Sequence, residues 1–337
     1  MGNLLSPIFS LFRFHKMKLL VVLLIAGFFA VIMFPNDDLS DWISTQISKN
    51  TGIYVQFDQL GFDLAPPGLE ASDVSIEARG VPTIKAGSMH AGILLSKFLT
   101  FKLGFTAVAE KVFHGDIDLS YGQGDKTSSG ARFDDVTIHA DKVSLDDLCD
   151  FLHKMNMLSL KLQGNVNLDS SLHVDHLFTD QPSFSASAEI PSFLVPSQSV
   201  MVDFNGVPVS QVIPTLDLGH VVLKNAKLSE GILEIPDLTV GDKKSELFGH
   251  LKGTMALQMR KLPNGVQPDI KNIDFAMDLT LNKDFIDRNQ KTMIGGFLML
   301  IPANLKTETV NGTRLAFHMK LTAPGAVPNF SPLTEKL

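Results

Sequence analysis

His173, Asp175 and His176 are the residues best suited by type to hold a divalent metal. In a strand, His173 and Asp175 share a face while His176 points to the other. Both first-named residues fall on the polar face of an alternating segment, where solvated side chains account for them. Asp146 and Asp147 offer two carboxylates, the raw material of general acid–base work. Adjacent helical residues diverge by about 100°, however, and helix capping explains the pair. Cys149 is the single cysteine, so neither a disulfide framework nor a Cys-based zinc site is available. It lies near an apolar helical stripe and reads as a small core residue rather than a nucleophile. Asn311-Gly312-Thr313 fits a glycosylation acceptor and equally a turn. No Gly-rich phosphate loop, nucleophile elbow or paired-His zinc motif is present. The expectation is a non-enzyme with no catalytic residue, no cofactor and no metal.

The elements that would have to position any site are of two kinds, one long apolar run and many alternating strands. The chain has 337 residues, 45% hydrophobic and 19% charged, with net charge −7. That composition excludes a disordered chain, and the acidic balance without a dense basic cluster argues against nucleic acid. Aromatics are lopsided, with 24 Phe against two Tyr and one Trp, which supplies apolar filling with few polar handles.

Leu19 to Phe34 carries no polar side chain and, as a helix, is about 24 Å long. Met17 and the stem of Lys18 extend it toward the hydrocarbon thickness. Arg13, Lys16 and Lys18 precede it, and Asp37, Asp38 and Asp41 follow. The positive-inside rule then places residues 1–16 in the cytoplasm, 17–34 across the membrane and 35–337 beyond it. A cleaved signal peptide is the rival, but the run ends in Met33-Phe34-Pro35 with no small-x-small site. Asn36 to Asn50 reads as an amphipathic helix with Leu39, Trp42, Ile43 and Ile47 on one face. Trp42 suits the membrane interface, and the same helix suits a plug for one end of the following domain.

Beyond residue 52 the dominant period is two. From Leu158 to Val174 every even position is Leu, Val, Gly or Ser, predicting one long strand or two joined at Gly164. Ile273, Phe275, Met277, Leu279 and Leu281 alternate without a break, as do Leu315, Phe317, Met319 and Leu321. Gly249 and Gly253 hold two inward places in the segment from Leu247 to Met259. Such alternation marks antiparallel sheet with one apolar and one wet face. Asn-Gly pairs at 205–206, 264–265 and 311–312 mark candidate tight turns. Ser144 to Asp147 opens a capped helix with Leu145, Leu148, Leu152 and Met155 in one stripe, and 284–291 is a second helical segment. Met293 to Ile301 spans about 13.5 Å as a helix, too short to cross a bilayer. The Pro-rich stretch 182–214 is a possible seam, although alternation resumes on both sides.

An anchor, an amphipathic helix ending Asn50-Thr51-Gly52 and the strand Ile53-Tyr54-Val55-Gln56-Phe57 are followed by Gly68 to Ile76 and its echo, Phe133 to Ile138. This order resembles the AsmA-like group of inner-membrane proteins of Gram-negative bacteria. The length and later segments, Gly231 to Ile235, Gly249 to Thr254 and Pro328-Asn329-Phe330, look closer to the type II secretion system protein N family. Where that family's pattern calls for Gly-Thr-Leu before the last prolines, this chain has Thr322-Ala323-Pro324. The resemblance implies a mainly β fold in which 35–337 forms one elongated, curled, taco-like antiparallel sheet in the periplasm. It also implies a non-enzymatic component of the type II secretion machinery, partnered by inner-membrane lipids and other secretion subunits. AsmA-type relatives are associated instead with lipid handling, which would set phospholipid in an apolar groove. Phe275, Met277 and Leu279 are the lining residues expected for that case, because their stripe is unbroken and includes a flexible Met.

Overall fold

The computed structural model describes residues 36–64, 67–100, 102–126, 132–155, 160–175, 180–204, 207–262, 265–290, 292–310, 312–322 and 329–333. The expected anchor, 17–34, with Arg13, Lys16, Lys18, Leu19 and Phe34, lies outside them. Among the described residues no helix is long and apolar enough to cross a membrane.

Helix α1 (Asn36–Thr51) leads into β1 (Ile53–Gln56) and β2 (Gln59–Leu64), which both pair with β3 (Pro67–Ala78). The sheet continues through β4 (Val81–Ile93), the short helix α2 (Leu95–Phe98), β5 (Gly104–Val112), β6 (Gly115–Lys126) and β7 (Arg132–Ser144). After helix α3 (Leu145–Lys154) come β8 (Asn165–Asp175) and β9 (Ser183–Val195). A hairpin of β10 (Gln198–Phe204) and β11 (Val207–Ile213) stands apart as a two-stranded sheet. β12 (Leu216–Ser229), β13 (Ile232–Val240), β14 (Leu247–Leu262) and β15 (Gly265–Asn282) resume the main sheet. Helices α4 (Lys283–Asn289) and α5 (Met293–Leu300) and a 3₁₀ turn, Ala303–Leu305, precede β16 (Lys306–Thr309), β17 (Gly312–Leu321) and β18 (Asn329–Pro332).

The result is one 16-stranded antiparallel sheet whose spatial order follows the chain from β3 to β15, apart from the hairpin excursion. At its two ends, β1 and β2 together cover the edge of β3, and β16 and β18 together cover β17. Short strands at the ends limit the unpaired backbone offered to another chain. The strong curl expected from the resemblance is not found, since strands pack mainly against their immediate neighbours in the order. Helices and a short 3₁₀ turn, rather than the sheet folding on itself, cover its two ends.

Local chemistry explains the elements. Ser144 caps α3, its Oγ accepting the Asp147 N–H at 3.3 Å, and Asn282 caps α4 by accepting from Asp284. The strands flanking the three Asn-Gly sites pair with each other, Phe204 with Val207, Leu262 with Gly265 and Thr309 with Gly312. The strand expected from Leu158 instead begins at Asn165. Gln163 forms an isolated bridge to Leu194, and Gly164, at φ +134°, separates the two. The Pro-rich stretch holds β9 and the β10–β11 hairpin.

Three strands carry the same irregularity. Lys111 in β5, Lys142 in β7 and Asn225 in β12 have positive φ at breaks in register. The bulged N–H groups donate to Asp116 Oδ1 (3.0 Å), Asn167 Oδ1 (2.9 Å) and Ser187 Oγ (3.1 Å) on the adjacent strands. One extra residue reverses the parity of a strand. Val112, Val143 and Ala226 thereby join Ala109, Ala140 and Leu223 on one face.

Two clusters of buried residues lie toward the ends of the sheet, with Ala140, Val143, Leu145, Cys149, Ala226 and Leu228 buried between them. Leu60, Ala71, Val74, Ala86 and Val112 form one cluster, against which Ile43 of α1 packs. Leu281, Phe285, Ile301, Leu305, Leu315 and Phe317 form the other, with Ile286 and Leu298 added by α4 and α5.

Candidate functional site

Antiparallel register aligns the apolar residues of successive strands into rows that run across the sheet. The longest passes through Leu60, Ala71, Met89, Ala109, Ile117, Ala140, Leu168, Ala188, Leu223, Leu238, Leu251, Met277 and Phe317 without interruption. Twelve inter-strand steps of ~4.8 Å make this row about 58 Å long. A second row joins Ile93, Phe105, Tyr121, Val136, Leu172, Phe184, Leu228, Leu233, Met255, Ile273 and Leu321. Between the end clusters, Leu168, Leu223, Leu238 and Leu251 are only half-buried. Side chains on this floor therefore retain solvent-facing apolar surface in the middle of the sheet.

Phe275, Met277 and Leu279 share this face in β15, as expected, and all three are half-buried. Met277 packs on the far-end cluster, whereas Leu223, Leu238 and Leu251 belong to neither end cluster, and periodicity within one strand does not single them out. Gly253 faces Phe275 across β14–β15 at φ +159°. A Cβ there would lie 2.5 Å from Phe275 Cδ1, so the ring lies against bare backbone. Trp42 is 60% exposed while Ile43 and Ile47 of α1 are half-buried. The helix therefore plugs the near end with its isoleucines and leaves the indole outside. Ser44 Oγ donates to the Val55 carbonyl and ties α1 to β1.

The opposite face is hydrophilic along the same axis. Thr106, Ser120, Thr137, Ser171, Ser185, Lys227, Glu234, Thr254, Asp274 and Lys320 form one continuous row. Cross-strand pairs lock it: Lys320–Asp274 at 2.9 Å, and Arg314 donating twice to Asp278 at 2.6 Å each. A depression of 690 Å³ on this face is lined by Ser and Thr residues with His90, Asp118, His139 and Asp169, and also by the apolar Val108, Leu119, Ile138 and Ala186.

Of the two histidines singled out in the sequence, His173 is used in a carboxylate pair. His173 Nδ1 meets Asp135 at 2.7 Å and its ring stacks on Phe133 at 4.7 Å. Asp175 is buried at the end of β8, and His176 lies outside the described residues. Asp147 meets His114 at 2.6 Å, a contact that holds its pKa below the usual carboxylate value, while Asp146 is exposed. Burial raises the Cys149 thiol, leaving little of the nucleophilic thiolate. Among the described residues no three metal-ligating side chains converge.

His139 Nδ1 lies 2.5 Å from Asp169, and this hydrogen bond raises the imidazole above its ordinary value of 6.5. A raised folded-state value means that the pair stabilises the fold fully below pH 6.5 and ceases to do so as pH rises through the raised value. The expected result is a loss of stability on going from pH 6 to 8 that is smaller in His139→Gln. Denaturant titration at the two pH values measures it, and equal slopes would exclude the pair.

The architecture available is thus a two-faced sheet, with an apolar floor running from α1 toward β17 and a hydroxyl- and ion-pair-rich back. No family model, curated protein or solved structure matches this chain, so the functional reading rests on that geometry.

Proposed function

We propose that this chain is an AsmA-like, membrane-anchored protein that holds lipid acyl chains on the apolar face of its sheet, without catalysis. The single observation that carries the reading is the unbroken apolar row from Leu60 to Phe317, half-buried at its centre. The half-buried stretch from Leu168 to Leu251 spans four inter-strand steps, about 19 Å, at the middle of this row. Acyl chains would shield this floor in place of a strong curl of the sheet.

With 17–34 as the anchor, the bulk of the chain lies in the periplasm of a Gram-negative cell and the N-terminus in the cytoplasm. The row then begins beside the inner membrane, because α1 starts two residues after Phe34 and packs on β1 and β2. It leads away from the bilayer toward β17. Assembly with type II secretion subunits is compatible with the same anchor and sheet.

A photo-crosslinking residue at Leu238 in the full chain, irradiated in native membranes, should capture phospholipid. The same residue at Thr239, on the opposite face, should not. Adducts to secretion subunits alone would favour the scaffold reading, and purely intramolecular adducts would mean a closed core. Either outcome overturns the lipid-holding one.

A further inference from the structure

The connection between β4 and β5, residues 94–103, is the longest at its edge of the sheet, and it is apolar where solvent would favour polar residues. Leu99 is 78% and Leu103 69% exposed, with Ile93 and Phe105 exposed at the strand ends beside them. Between Ile93 and Ala109 the only charged residues are Lys97 and Lys102, with no acid. Lys102 is neutralised by Asp125 at 2.5 Å, and Lys97 Nζ donates to the Gln123 carbonyl at 3.4 Å.

Four backbone N–H groups of this connection are paired locally. The N–H groups of Leu94, Lys97, Thr100 and Lys102 donate to Gly104, Leu94, Lys97 and Lys97 carbonyls, each at 3.0 Å. Leu103 N–H donates to Gln123 Oε1 at 3.1 Å, and Gln123 N–H returns a bond to the Leu103 carbonyl at 2.7 Å.

Its position gives the loop a partner. α1, with the exposed Trp42, packs along β1 and β2 at the β1–β5 end, and the loop joins the ends of β4 and β5 at the same end. Tyr54, 60% exposed, lies on the edge strand β1 at this end.

We propose that the β4–β5 loop is a second membrane contact, which seats the β1–β5 end of the sheet on a phospholipid surface with its strands parallel to the bilayer. The proposal deepens the anchored reading above and rests on it. Two contacts fix an orientation that a single helical anchor leaves free to pivot. They would hold the Leu60 end of the apolar row against the lipid.

The test uses the full chain reconstituted in phosphatidylethanolamine–phosphatidylglycerol liposomes containing brominated lipid as quencher. An environment-sensitive fluorophore is attached at Leu99→Cys, and at Val310→Cys as the control. Val310 is fully exposed at the opposite end of the sheet, and Cys149 is buried and protected from the label. Quenching at 99 should exceed that at 310 at least threefold. Trp42, the only tryptophan, reports on α1 in the same sample. Quenching of Trp42 with none at 99 would overturn the loop contact and leave the anchored reading standing. Absence of both would remove the anchored reading as well. Protection of the 99 probe in native membranes but not in pure lipid would identify a protein partner there and reject the lipid surface.

Discussion

Replacing Phe285 with alanine is expected to cost about 3–5 kcal/mol, the range for deleting a fully buried aromatic side chain. Phe285 is 1% exposed, on the inner side of α4, and joins Leu281 and Leu315 of the sheet to Ile301 and Leu305 of the returning chain. α4 has only seven residues, too few to be stable alone, so tertiary packing must hold it. Its loss should release the far-end cluster while the β3–β9 half of the sheet stays paired. Hydrogen exchange resolved along the chain can observe this directly. Exposed Asp287→Ala, one turn face away, should change stability by no more than about 0.5 kcal/mol. Equal, uniform loss of protection along the whole sheet in Phe285→Ala would show that the two clusters are one cooperative unit.

Leu168→Asp should have the second largest effect, because it puts a carboxylate into the floor between Ala140 and Ala188. An unpaired carboxylate on a half-buried apolar surface costs about 1–3 kcal/mol by mutational measure. Acyl chains over that position would raise the penalty by withdrawing the remaining water. Lipid recovered with the detergent-extracted variant, read by native mass spectrometry, should fall severalfold. Asn167→Asp is the matched control. It lies on the opposite face and keeps the oxygen that accepts the Lys142 N–H, so its stability should stay within about 0.5 kcal/mol and its lipid content unchanged. Equal lipid in both variants would mean that the floor does not bear it.

The sequence by itself determined the elements and their two faces. A period of two fixes which side chains share a side, so Phe275, Met277 and Leu279 could be placed together from spacing alone. Turn and cap chemistry is equally local, which is why the Asn-Gly hairpins and the Ser144 cap were legible. The tertiary structure decided which strands lie side by side, in what register, and what covers them. The ~58 Å row exists only through the register of thirteen strands, and bulges at Lys111, Lys142 and Asn225, each held by a side chain from another strand, bring Val112, Val143 and Ala226 to the same face. The same holds for His139 with Asp169 and His173 with Asp135, whose partners are 30 and 38 residues away in the chain. Met277 moved from open floor to plugged end because α4 and α5 fold back over β15 and β17. Periodicity reports the side of a strand on which a residue stands, whereas cover and alignment depend on contacts between distant segments that no local spacing encodes.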